Sequence, residues 1–75
     1  MKEVRYTIFS PKSGYFIGLF NWGRVYKPAK RKCYLKIPIE KAFDLAKSFG
    51  CLYVTEWIFN NGKVETGKTY RVTNK

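Results

Sequence analysis

Six cations stand within residues 24–36: Arg24, Lys27, Lys30, Arg31, Lys32 and Lys36. No acid interrupts them, and Trp22, Tyr26 and Tyr34 are interleaved with them. Lysine and arginine pair with phosphates, and arginine can hold one phosphate through two parallel hydrogen bonds. Flat rings set between such cations can stack on bases. The segment therefore reads as a nucleic-acid- or anion-binding surface carried by the six cations, with Trp22 and Tyr26 as candidate stacking rings. The competing reading is a solvated charged loop whose rings turn into the core.

The whole chain leans the same way. Fifteen Lys and Arg oppose five Asp and Glu, a net charge of +10. That imbalance disfavours compaction by self-repulsion and points to an anionic partner. Nucleic acid is the commonest partner of so basic a domain. An acidic protein surface is the alternative, and a phosphorylated small ligand a third that the lack of a Gly-rich phosphate loop disfavours.

Catalysis is not expected. The chain has no His, and a Cys nucleophile would want a base and an orienting group. The five acids are scattered; Glu40 and Asp44 alone share a helix face, where Lys41 and Lys47 flank them. P-loop, GxGxxG and HExxH patterns are missing. Cys33 and Cys51 cannot make a zinc site, which usually takes four N/S ligands. Neither metal nor cofactor is expected. The two thiols read as reduced and partly buried, in keeping with a cytoplasmic location. No apolar run approaches the roughly 20 residues that cross a bilayer, and the polar start reads as no signal peptide.

Behind the basic segment stand the elements that must position it. Residues 3–9 alternate, with Val4, Tyr6 and Ile8 on one face and Glu3, Arg5 and Thr7 on the other, which is a half-buried strand. Turn residues 10–14 lead to a second strand at 15–20. Gly18 within it marks a bulge or a close backbone approach. A short strand over 24–27 is expected to stop at Pro28, and another is expected over 33–37. The rings of Tyr15, Phe16, Phe20 and Trp22 read as a packed aromatic cluster or as interface anchors.

One helix is expected, over residues 38–49, burying Ile39, Ala42, Phe43, Ala46 and Phe49. Pro38 suits its first turn and Gly50 the left-handed position after its end. Residues 52–59 and 63–73 form a hairpin around the Asn61-Gly62 turn. A two-residue turn pairs Phe59 with Val64, Trp57 with Thr66 and Tyr53 with Tyr70. Alternation along the return strand then assigns Tyr53, Trp57, Phe59, Val64, Tyr70 and Val72 to the core under the helix. Leu52, Val54 and Ile58, interrupted by Glu56, fall on the other face, and Lys68 breaks the pattern.

These elements make one α+β domain spanning residues 1–75: an antiparallel sheet of four to five strands, built from two hairpins, with one helix packed on one face, in the order ββ(β)βαββ. The function expected for it is that of a small, non-catalytic nucleic-acid-binding protein acting mainly through phosphate contacts. The alternative is a protein-binding inhibitor or adaptor, of the size common among phage and mobile-element proteins, docking on an acidic or nucleic-acid-binding surface of a partner.

Overall fold

The computed structural model describes residues 2–72. Its elements are β1 (Lys2–Ser10), β2 (Tyr15–Phe20), β3 (Val25–Ala29), α1 (Ile39–Phe49), β4 (Tyr53–Asn60) and β5 (Lys63–Arg71). The strands form one antiparallel sheet in the spatial order β3-β2-β1-β4-β5. The helix packs on one face over β1 and β4. This is the α+β architecture that the alternation and the single helical period predict.

β1 is the middle strand, and its alternation is what the pleat requires. It pairs with β4 along its length, from Lys2 opposite Asn60 to Phe9 opposite Tyr53. Tyr6 and Ile8 are buried on the helix side with Ile17, Leu35, Ala42, Leu45, Ala46, Cys51, Val54 and Val72. On its other edge β1 registers with β2 only at Phe9–Phe16 and Ser10–Tyr15. The two strands then part, and Leu35 enters the gap. Tyr6 and Leu35 exchange backbone hydrogen bonds of 2.9 and 2.8 Å. Residues 33–37, expected as a full strand, thus contribute a single bridge. The segment runs tight against β2: a Cβ at Gly18 would stand 2.9 Å from the Cys33 sulfur and as close to the Phe20 ring. Gly18 therefore marks a close approach.

Three further expectations are corrected. Pro28 does not stop β3, which continues to Ala29. β3 is an edge strand, where a residue without an N–H costs no ladder bond. The helix begins at Ile39, with Pro38 as an N-cap that supplies no side-chain hydrogen bond. Its buried face is Ala42, Leu45 and Ala46; Leu45 is 8 % exposed, whereas Phe49 is 38 % exposed. Phe49 follows the right period, but it lies in the last helical turn. Gly50 then closes the helix at φ 69°, its N–H bonded to the carbonyls of Ala46 and Lys47.

The third correction decides which face carries the rings. Asn60–Lys63, Phe59–Val64 and Trp57–Thr66 pair as a two-residue turn dictates, but further on Thr55 faces Thr69, Val54 faces Tyr70 and Tyr53 faces Arg71. A β-bulge sets Gly67 and Lys68 against the single residue Glu56. The extra residue shifts Tyr70 from Tyr53 to Val54, hence to the opposite face. Tyr70 and Val72 pack under the helix, with Phe43 edge-on to Tyr70 at 5.6 Å. Tyr53, Trp57 and Phe59, expected beneath the helix, stand instead on the face away from it, and Val64, opposite Phe59, is exposed there. Val54 takes the core position. Thr73, to which the return strand was extended, lies outside the described residues.

Candidate nucleic-acid interface

The face of the sheet away from the helix carries a ring cluster built by strand register. Odd-numbered residues of β1 point there: Glu3 opposite Phe59, Arg5 opposite Trp57, Thr7 opposite Thr55, Phe9 opposite Tyr53. β2 adds Phe16 beside Phe9, with ring centroids 4.9 Å apart. Tyr34, on the outward side of the Leu35 bridge, meets Trp57 at 5.4 Å and Phe59 at 5.2 Å, both edge to face. Such arrangements match the quadrupoles of the rings and hold them in fixed orientation. The Trp57 indole N–H donates to the Thr7 hydroxyl at 2.9 Å, and Thr7 is buried.

Cations lie over these rings. Lys32 Nζ is 4.4 Å from the Trp57 centroid, the Arg5 guanidinium 4.9 Å from that of Phe59, and Lys27 Nζ 4.8 Å from that of Phe20. Lys36 Nζ is 3.1 Å from a Glu3 carboxylate oxygen, and Arg5 bonds the other oxygen. The bonds from Lys36 and then Arg5 hold the Glu3 carboxyl below the usual carboxylate range.

The charges divide by face. Glu56 and Glu65 oppose Tyr6 and Ile58 on the helix side, and Glu40 and Asp44 are on the helix. Glu3 is thus the one acid placed on the open face, and two cations already engage it. Arg5, Lys27, Lys32 and Lys36 make that face net positive. Between its rings lies a hollow of about 270 Å³ lined by Thr7, Phe9, Phe16, Lys32, Tyr53, Thr55, Trp57 and Thr69.

The residues read as a site from sequence do not all meet here. Lys27, Lys32 and Lys36 join the open face. Lys30 and Arg31 are exposed just beyond β3, the Arg31 carbonyl accepting a hydrogen bond from the Cys33 thiol. Trp22 and Arg24 sit at the β2–β3 turn, where Asn21 and Trp22 both adopt positive φ and Trp22 is 97 % exposed. Tyr26 points to the helix side, packed against the core with Lys41 over its ring. Arg5, Trp57 and Phe59 fall outside the site expected from sequence, and Tyr34 enters there only as interleaved with its cations. For Arg5 the signal was there: it alternates with buried Tyr6, so it must face away from the core.

Among the described residues no group of three or more His, Cys, Asp or Glu gathers to hold a metal. Both cysteines are free, and burial pushes the Cys51 thiol above its usual range, away from the reactive thiolate. No helix among the described residues is long and apolar enough to cross a membrane. No known protein family, curated protein or solved structure matches the chain.

Proposed function

We propose that this protein is a non-catalytic nucleic-acid-binding domain of the cytoplasm, and that it takes single-stranded nucleic acid on the open face of its sheet. The observation that carries this reading is the pairing of rings with cations on that face. Lys32 lies over Trp57 and Arg5 over Phe59, with nearly all the acids on the other side. Single-strand binders combine a positive surface that follows the backbone with aromatic platforms for the bases. An extended strand suits the sheet better than a duplex does. The helix carries Glu40 and Asp44 among its lysines, which suits a major groove poorly.

The test is binding of single-stranded and duplex oligonucleotides over a range of salt. The affinity should favour the single strand and fall linearly on a log–log plot, with a slope of about −0.7 per phosphate neutralised. Replacing Lys32 by Ala should flatten that slope by about 0.7. Replacing Lys47, on the helix, should leave it unchanged. A wild-type protein that binds no nucleic acid at physiological salt ends the proposal.

A second reading has one specific observation behind it. Trp22 stands clear of the protein at the β2–β3 turn, flanked by the exposed apolar Leu19 and Val25. An exposed Trp is a common anchor of protein interfaces. If the chain instead docks on an acidic protein surface, Trp22→Ala should abolish capture of that partner, and nuclease should not.

A further inference from the structure

We propose that the hollow on the open face is a seat for one unstacked nucleobase. The inference rests on the nucleic-acid reading and names what that face grips. Its basis is the row structure of the sheet. Thr7, Thr55 and Thr69 lie side by side across β1, β4 and β5. On one side of this row stand Phe16, Phe9 and Tyr53; on the other stand Arg5 and Trp57. Neighbouring rows on one face are about 7 Å apart, two residues of strand rise. A band of hydroxyls is therefore flanked by aromatic walls, and all three threonines line the hollow with Phe9, Phe16, Tyr53 and Trp57.

Each feature matches a part of a nucleotide. Phe9, Phe16 and Tyr53 offer π surface to the faces of a base, and Trp57 does so once Lys32 moves from its ring to a phosphate. The Thr55 and Thr69 hydroxyls each offer a donor and acceptors, as a base edge requires, while buried Thr7 holds the Trp57 indole in place. The Thr55 and Thr69 hydroxyl oxygens stand 3.5 Å apart, a long contact that either can exchange for a ligand. Lys32 lines the hollow and lies over Trp57, so its ammonium is placed for the flanking phosphate. The scale suits a single base: the hollow offers about 270 Å³ and opens broadly to solvent. One flat ring system fits it, with the sugar and phosphate left outside among the lysines. An aliphatic peptide side chain would use the rings, but it would leave both the hydroxyl row and the cation without a match.

The two indoles report on this directly. In a proton–nitrogen correlation spectrum the Trp57 indole N–H, bonded to Thr7, gives one peak and exposed Trp22 the other; Trp22→Phe assigns them. A thymidine oligonucleotide and an abasic strand of equal length and charge are titrated in turn. The base-containing strand should bind about tenfold or more tightly, the scale of one stacked base, and should alone shift the Trp57 peak. Thr55→Val with Thr69→Val keeps β-branched shape and strand propensity. It should erase preferences among the four bases while leaving the salt slope intact. If the abasic strand binds equally well and moves Trp57 equally, the base seat is wrong although nucleic-acid binding stands. If base preferences survive the double change, the hydroxyl row is not what reads the base and the seat as described is wrong. If neither strand binds, this inference and the function it rests on fall together.

Discussion

Removing the acid from the open face should strengthen binding, and by an amount the geometry sets. Glu3 holds Arg5 through one carboxylate oxygen and Lys36 through the other. Glu3→Gln frees both cations on the ring-bearing face. If each then meets a phosphate of a single strand, the log–log salt slope steepens by up to about 1.4. Counterion release fades towards 1 M salt, so the lines should converge there. At 0.1 M they should differ by up to about 1.4 log units, roughly 25-fold. Glu40→Gln is the control. It changes the net charge equally, but Glu40 is on the helix and no ion pair is seen for it among the described residues. It should shift affinity slightly and leave the slope alone. Fluorescence anisotropy of a labelled single strand at four or more salt concentrations measures both. Acidification should not mimic the substitution down to about pH 5. Lys36 and Arg5 hold the Glu3 carboxyl below its usual range, so it stays ionised until the pH falls through that lowered value. Equal slopes for Glu3→Gln and Glu40→Gln would refute the assignment of phosphate contacts to this face.

Further outcomes follow from the packing. Leu45→Ala should cost about 2–5 kcal/mol, out of a total near 4–11 kcal/mol for a chain this long. At about 4–8 °C per kcal/mol, a mid-range loss of about 3 kcal/mol lowers the melting temperature by about 12–24 °C. Phe49→Ala, at a position 38 % exposed, should cost less than Leu45→Ala. The reverse order in thermal melts would mean that the helix face is misassigned. Deleting Lys68 should leave a folded protein, with melting within about 5 °C of wild type. The deletion sets Gly67 opposite Glu56 and keeps both Trp57–Thr66 and Val54–Tyr70 in register; a collapsed amide-exchange pattern along β4 and β5 would contradict it. Alkylation at neutral pH followed by mass spectrometry should modify half-buried Cys33 well before Cys51, which is buried and whose thiolate burial disfavours. Faster reaction at Cys51 would show that the helix end opens in the native state.

Most of the fold was legible because its signals are local. The alternation of residues 3–9, the helical period after Pro38, Gly50 at the helix end and the Asn-Gly turn each act within a few residues, and each forms the element expected. What was not legible is one residue of slippage. The pairing of Phe59 with Val64 and of Trp57 with Thr66 follows from the turn, but no local signal fixes how far that register runs. Lys68 was the visible flaw. A lysine on the face that the unbroken register buries is resolved by a bulge at that point, and Gly67 supplies it: a side chain there would collide with the Glu56 carboxylate. Since the side-chain period is two, that single step exchanges the faces of everything beyond it. Three of the four cations on the open face, Lys27, Lys32 and Lys36, belong to the basic segment visible in the sequence, while Arg5 stands apart from it. The aromatic half of the candidate site was not legible, because Trp57 and Phe59 reach the open face only through that register, and Tyr34 only through the Leu35 bridge.

The placement of the rings has a volumetric cause as well. The helix meets the sheet through Ala42 and Ala46, both fully buried, and so sits close to it. The space beneath is filled by Ile8, Ile17 and Val54, the largest side chains that are completely enclosed. An indole at that level would force the helix away, and overpacked cores typically lose about 1–3 kcal/mol. One 11-residue helix cannot cover both faces of five strands, so the surplus rings must lie on the uncovered face. There they support one another edge to face, and Lys32 and Arg5 shield them from water. The nucleotide site proposed above would draw on the same arrangement: cations over the rings, a row of threonines between them and four of the chain's five acids placed elsewhere.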